Sequence, residues 1–436
     1  MDLDKTYKGP GAKTQLFKTN TMKIFKPFPF KSNSLKLNLS RPGILSLCVL
    51  VLISGMAHGQ SKSDRPGATK EISGFPTLSN PGEGVWLKGD LHVHSRHSKE
   101  SSNHDLAKIF AYAKSVGFGY IAITDHDNHV LGEVGANTWA DPEFRAEDSL
   151  LLLYGAEWTT ARGHGNTFSA KPYDHKRFYD ARDQRDTIIG RIKDELGIHL
   201  SANHPSGKDH FGFSFDLVQS IEVWNSSIWP NNKSAVMIWD DMLSSGRRIT
   251  ARGGSDAHHG FYGPNDTLTM EGAKSRFNYI GTPTTWIFAK SKTLQAVVDA
   301  LNQGRTSISA NPYAPRVEFL ADLNGDGTMD VMMGDNSVAS GNPVKFRVQL
   351  EGTAQKDAQY TIIVTKNGRK LGTHQTDGGL AMVEFTDTPD AVERSYYRVS
   401  VEGPIDPYPQ VPGSMEFSER MVGLSNPIYF NFDQNF

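Results

Sequence analysis

Between residues 85 and 310, short apolar runs alternate with stretches of helical period, and run after run ends on a histidine or a carboxylate. The runs close as DLHVH (His92, His94), ITDHD (Asp125, His126, Asp127), GAEW (Glu157), SANHP (His204), IEVWN (Glu222) and GGSDAHH (Asp256, His258). The stretches between them carry a helix signal. LAKIFAYAKSVG sets Leu106, Ile109, Phe110, Ala113 and Val116 on one face before Gly117 stops it. DTIIGRIKDELG, SAVMIWDDMLSSG and SKTLQAVVDALNQG repeat the pattern. Strands alternating with helices predict an α/β fold with a largely parallel sheet, and about seven strands favour a barrel over an open sheet.

Parallel strands of such folds gather their sites at their C-terminal ends. Ligand types recurring there define one location. His92 and His94 stand two residues apart, so on a strand they share a face. Neutral imidazole is the commonest protein metal ligand. A carboxylate can bridge two cations, and imidazole with carboxylate suits Mn, Fe or Zn.

The only cysteine, Cys48, falls in a leader. Lys23, Lys26, Lys31, Lys36 and Arg41 precede the apolar run ILSLCVLVLI and the small residues SGMAHGQ, which reads as a secretory signal. Cleavage is expected near residue 59, after Gly59 or after Ala57, and Met22 is the more natural start. The run is short for a bilayer span. The expectation is a secreted or periplasmic protein without a permanent membrane anchor. Its mature form has no thiol, which excludes disulfides, thiolate nucleophiles and thiolate ligands. Residues 1–59 hold nine Lys/Arg against two Asp/Glu within a chain of net charge −2, so the body is acidic. Sequence-independent nucleic-acid binding needs a basic footprint and is not expected. No G-x-S-x-G elbow or P-loop is present.

Past Asn311-Pro312 the pattern changes to period two, in VKFRVQLEG, YTIIVTKNG and SYYRVSVEG, as in a β-sandwich. The expected organisation is a leader over 1–59, a linker over 60–84, a barrel over 85–311 and a β-sandwich over 312–436. DLNGDGTMD in the last part offers Asp322, Asn324, Asp326 and Asp330 around Gly327, like a calcium loop, but Met333 stands where a full site has Glu. Bound calcium and a plain turn are the alternatives there.

The ordered motifs of residues 85–310 resemble the PHP (polymerase and histidinol phosphatase) family, in particular the branch with carbaryl hydrolase-like and nucleotide phosphatase-like enzymes. TLQAVVDALNQGRTSIS resembles that branch's closing helix and strand. The resemblance implies a distorted seven-stranded β/α barrel around two or three divalent ions (Mn, Fe or Zn). It implies that His92, His94, Glu157 and Asp256 hold a first ion. Glu157 would bridge to a second, also held by His204 and Glu222, and His126 and His258 would hold a third. The family's first motif usually continues to an acid or a histidine, where this chain has Lys99. Glu100 or His97 are the substitutes, and the choice between two and three ions stays open.

Four further residues carry paired readings. Asp125 steers His126 or a metal-bound water, or caps its strand. His164, in RGHGNTF, is a leaving-group acid or substrate contact outside the ligand set, or a loop histidine in a glycine turn. Arg162 and Arg252, like Lys99, grip an anionic oxygen or balance carboxylates. The expected function is a metal-dependent phosphoesterase that uses a metal-activated hydroxide on an anionic small molecule. Carbamate, ester or amide hydrolysis on the same centre, and a non-catalytic metal-holding module, are the alternatives. The sequence does not set the oligomeric state.

Overall fold

The computed structural model describes residue 81 and residues 83–99, 101–102, 104–206, 210–258, 278–353, 356–404 and 420–433. All belong to one compact unit, Glu71–Phe436. The expected leader, most of the linker, Glu100 and His259 lie outside the described residues. The chain runs β1 (Val85–Val93), α1 (Leu106–Ser115), β2 (Tyr120–Ile123), α2 (Pro142–Ala146), β3 (Leu151–Thr160), β4 (Gly163–Ser169), α3 (His175–Asp180) and α4 (Asp186–Leu196). It continues with β5 (His199–Ala202), β6 (Ser220–Asn225), α5 (Lys233–Ser244), β7 (Thr250–Gly254), β8 (Thr284–Ala289), α6 (Leu294–Gln303) and β9 (Thr306–Ser309).

The helices follow the sequence signals. α1 buries Leu106, Ile109, Phe110 and Ala113. In α6 the Thr293 side chain caps the Ala296 N–H, and Gly304 ends the helix in the left-handed region.

These strands lie in one curled sheet, in the order β9-β8-β1-β2-β3-β4-β5-β6-β7. β1-β2-β3 and β5-β6-β7 are parallel, but β4 runs antiparallel to both its neighbours. β8 is antiparallel to β1, and β9 to β8. The sheet is therefore mixed, not largely parallel. The reason lies in β4: only residues 161 and 162 separate it from β3, and so short a connection permits only a hairpin. Its sequence, GHGNTFS, has no apolar run to announce a strand.

The curl brings the exit of β7 back to β1. Asp256 N–H donates to the His92 carbonyl at 2.8 Å, and His94 N–H donates to the Ala257 carbonyl at 2.9 Å. The far edge of β7 is met by side chains. The Asn426 carboxamide takes the Ala251 N–H at 2.7 Å and gives to its carbonyl at 2.8 Å. The Thr285 hydroxyl lies 2.9 Å from both the N–H and the carbonyl of Gly253.

The C-terminal part adds β10 (Arg316–Asp322), β11 (Val331–Met332), β12 (Asn336–Ser337), β13 (Val344–Glu351), β14 (Gln359–Lys366), β15 (Arg369–Asp377), β16 (Met382–Asp387), β17 (Ser395–Glu402), β18 (Met421–Ser425) and β19 (Ile428–Phe430). Its period-two signal is real: Val344, Phe346, Val348 and Leu350 of β13 alternate inward. β11-β10-β13-β16 form a separate antiparallel sheet, whereas β18 pairs with β9 and extends the large sheet through β17. Phe319, Phe346 and Val348 of the small sheet share a core with Ile362, Val399 and Phe430 of the large one. Among the described residues no helix is long and apolar enough to cross a membrane.

Candidate metal centre

The strand ends converge because backbone and side chains tie them from below. Asp90, fully buried on β1, accepts N–H bonds from His92 (3.1 Å), Ser255 (3.0 Å) and Gly281 (2.7 Å). Gly254 lets β7 approach β1 and β6, since a Cβ there would sit 2.4 Å from Glu222 Oε1 and 2.5 Å from His92 Cβ. His204 and Asp256 hold left-handed backbones, with φ of 25° and 55°. Such strain clusters at functional sites.

Glu157, within β3 three residues before its end and 1% exposed, is the hub. Its carboxylate stands 3.5 Å from His92 Nε2, 3.4 Å from His94 Nε2, 2.8 Å from His126 Nδ1, 3.2 Å from His164 Nδ1 and 3.4 Å from His204 Nε2. Asp256 Oδ1 lies 3.3 Å from His92 Nε2 and 3.1 Å from His94 Nε2. Atoms sharing one tetrahedral Zn-like cation, with bonds near 2.0–2.2 Å, stand roughly 3.3–3.6 Å apart. The donor set thus fits a cation in spacing as well as in type. A buried atom points the same way, since His92 Nε2 has no hydrogen-bond partner. Leaving such an atom unsatisfied costs about 1–3 kcal/mol, which a shared cation would recover.

Among the described residues, four groups have ligand atoms close enough to hold an ion: His92/His94/Glu157/Asp256, His94/His126/His258, His92/His204/Glu222 and Glu157/His164/His204. In the second, His126 Nε2 and His258 Nε2 face each other at 3.3 Å.

The field of the cluster draws positive charge inward. Burial alone would raise the Glu157 carboxyl, but His126 and His92 hold it well below the ordinary carboxylate range. Burial opposes charge on His92, yet Glu222, Asp256 and Glu157 pull its pKa up to about 10. Burial, with His258 and His126 beside it, pushes His94 well below the usual imidazole value.

Other residues orient these ligands. Asp125 does not face the His126 ring. Its carboxylate accepts from Ser95 N (2.6 Å), Ser95 Oγ (2.7 Å), Ser98 Oγ (2.9 Å) and Thr138 Oγ1 (2.7 Å). Ser98 Oγ also stands 3.0 Å from His94 Nδ1. A carboxylate only accepts, so the Ser98 proton goes to Asp125 and His94 Nδ1–H donates to Ser98. That tautomer leaves the His94 Nε2 lone pair facing Glu157 and Asp256.

The two arginines are committed elsewhere. Arg252 is fully buried and donates to Glu222 Oε1 (2.8 Å), Ser201 Oγ (2.6 Å) and the Asn203 carboxamide. Arg162 pairs with Asp186 at 2.7 Å and stacks over Phe213. Lys99 is exposed, and His97 pairs with Asp141 at 2.8 Å.

His164 lies on β4, not in a glycine turn, and it falls within a candidate ligand group. Sequence reasoning missed Ser98, Asn203, Asn225 and Gly254. Each sits within a few residues of a recognised ligand, and that proximity was the available signal. In the Asp322 loop the acids turn to backbone: Asp322 accepts the Gly325 (2.7 Å) and Gly327 (2.9 Å) N–H groups, and Asp330 accepts that of Leu323 (2.7 Å).

No family model matches the chain, and no curated protein matches it.

Proposed function

We propose that this chain is a metal-dependent hydrolase on a distorted β/α barrel of PHP type, acting on phosphoesters. The observation that carries the proposal is Glu157, one buried carboxylate within 3.5 Å of five imidazoles. No single carboxylate can accept hydrogen bonds from all five, whereas ions between them would use every lone pair. His92, His94, Glu157 and Asp256 would hold one ion, and Glu157 would lie between that ion and a second. Bound there, the ions would supply hydroxide at neutral pH and polarise the scissile bond. Glu157 and Asp256 would set the charge of the centre, and the Asp125–Ser98 pair would hold His94 in its ligating tautomer.

A second reading has its own support. Arg162 and Arg252 are both engaged within the protein, which removes two side chains suited to phosphate oxygens and favours a carbamate, ester or amide. The test is a metal-replete preparation analysed for metal and assayed on phosphomonoesters, phosphodiesters, carbamates, esters and amides. Phosphoester turnover supports the first reading, and turnover of the neutral substrates alone supports the second. Two ions with no turnover on any of them would make the chain a metal-holding binding module. Export belongs to the proposal: N-terminal sequencing should find a start near residue 60, and a start at Met1 or Met22 would refute cleavage.

A further inference from the structure

We infer that Asp127, backed by His175 and Tyr173, is a positioning residue that sets where Glu157 and His126 stand, through a chain of side chains that grips both edges of β3. This rests on the proposed metal centre at Glu157.

The argument starts from where β3 loses its neighbour. The ladder between β2 and β3 ends at the pair Ile123 and Tyr154, three residues short of Glu157. Past it the chain from β2 turns away into a single 3₁₀ turn, Asp127–Val130. In a strand, alternate residues turn their N–H groups to the same edge. On the edge facing β2, the Glu157 N–H still finds a backbone partner, the Asp125 carbonyl at 3.1 Å. The next N–H on that edge belongs to Thr159, and it donates to the Asp127 carboxylate, Oδ1, at 2.9 Å. The Asp127 side chain thus supplies the rung that the turning backbone cannot.

The hold reaches the centre through Thr159. Its hydroxyl donates to the Glu157 carbonyl at 3.2 Å and stands 2.8 Å from His126 Nδ1. One residue therefore touches the hub and a neighbouring imidazole, and Asp127 fixes its backbone.

Asp127 is itself held. It is fully buried, as is His175, and its Oδ2 lies 3.0 Å from His175 Nε2. A carboxylate only accepts, so the proton of that bond is on Nε2. His175 Nδ1 stands 3.0 Å from the Tyr173 hydroxyl, which stands 2.6 Å from Thr167 Oγ1 on β4. Thr167 Oγ1 in turn accepts the Ala156 N–H at 3.1 Å, on the opposite edge of β3. Trp139 packs against Tyr173, with ring centroids 5.0 Å apart, and donates to the Gly155 carbonyl at 3.2 Å. The chain runs from Thr159 through Asp127, His175, Tyr173 and Thr167 to Ala156, and Glu157 lies between its two ends. Asp127 sits in the ITDHD run beside His126, where it reads as a ligand or a base. Burial and the commitment of both its oxygens give it this other task.

The test uses the full chain loaded with cobalt(II), whose visible absorption follows the geometry of its ligands. Asp127→Ala breaks the chain and leaves every residue of the candidate ligand groups in place. Cobalt affinity, read by competition against a chelator well below the unfolding temperature, should fall about 10- to 100-fold, as for other groups that orient ligands. The visible band should shift with it. Asp127→Asn keeps an oxygen for the Thr159 N–H and should recover most of the loss. Tyr173→Phe removes one hydroxyl, keeps the ring, and should cost about 2- to 10-fold, the worth of one hydrogen bond. Added to Asp127→Ala it should cost little more, because the chain is already broken.

A role confined to stability would lower the urea midpoint of these variants and leave affinity and band unchanged, and that result would overturn the inference. An Asp127→Asn variant no better than Asp127→Ala would overturn it too. If Asp127→Ala does not fold, Tyr173→Phe decides, and unchanged affinity and band there overturn it. A parent that binds no cobalt would overturn both this inference and the metal centre. Weakened binding in Asp127→Ala, from a parent that binds cobalt but hydrolyses nothing, would sustain this inference and overturn only the hydrolase reading.

Discussion

The Glu157 cluster and the Asp322–Asp330 loop are built from similar residue types and end differently. Around Glu157 the donors face one another in the interior, and the buried His92 Nε2 has no hydrogen-bond partner. In the loop, carboxylates turn to nearby backbone N–H groups, as Asp322 does to Gly325 and Gly327. The loop satisfies its acids locally. The cluster does so less, because its members arrive from distant strands and face one another's side chains. A cation would therefore change the cluster's energy far more than the loop's.

Four measurements press on that difference. The largest effect is expected from Glu157→Gln, which keeps the shape and removes the shared charge. Metal content should fall and turnover should disappear, and a variant retaining both would end the idea of a hub. Next is Arg252→Met. It strands Glu222 in a fully buried site, and breaking such a pair costs about 3–5 kcal/mol. Urea unfolding reads this, and a loss below about 1 kcal/mol would show that Glu222 finds other compensation. Ser98→Ala should weaken metal binding about 10- to 100-fold by freeing the His94 tautomer. Competition against a chelator measures it, and unchanged affinity would break the Asp125–Ser98–His94 chain. The smallest effect belongs to the loop: calcium added to the metal-loaded protein should move Tm by less than about 2 °C. A rise of about 5 °C or more would show that the loop binds calcium after all.

Much of the site could be read from strand ends. His92, His94, Glu157 and Asp256 fall into one group, because period-two geometry and the convergence of strand ends are properties of short sequence runs. The period-two segments past residue 312 are strands for the same reason. β4 was not legible: Gly163, His164, Gly165 and Asn166 carry no apolar pattern, and only a two-residue connection marks them as half of a hairpin. With β4 went the antiparallel direction of that part of the sheet and the placement of His164 in a candidate ligand group. The engagements of Arg252 and Asp125 were hidden as well, since their partners lie 30 or more residues away or, as with Ser95 and Thr138, look like ordinary hydroxyls. A charged residue inside a motif reads as a contact for substrate until burial shows what already holds it.

The carboxamide of Asn426 on the edge of β7 has a consequence in time. It pairs with Ala251 across 175 residues of chain. Synthesis runs from the N-terminus at about 5–20 residues per second. A ribosome that has just finished residue 258 has therefore made every proposed ligand but will not make Asn426 for roughly another ten seconds or more. During that interval β7, the strand that delivers Asp256 and His258, lacks the group that pins its outer edge. Ligands that can gather a metal thus exist before the strand that aims two of them is secured. The order in which metal and Asn426 reach β7 becomes a property of the growing chain, and metal supply during synthesis, beyond its supply afterwards, bears on how the centre is assembled.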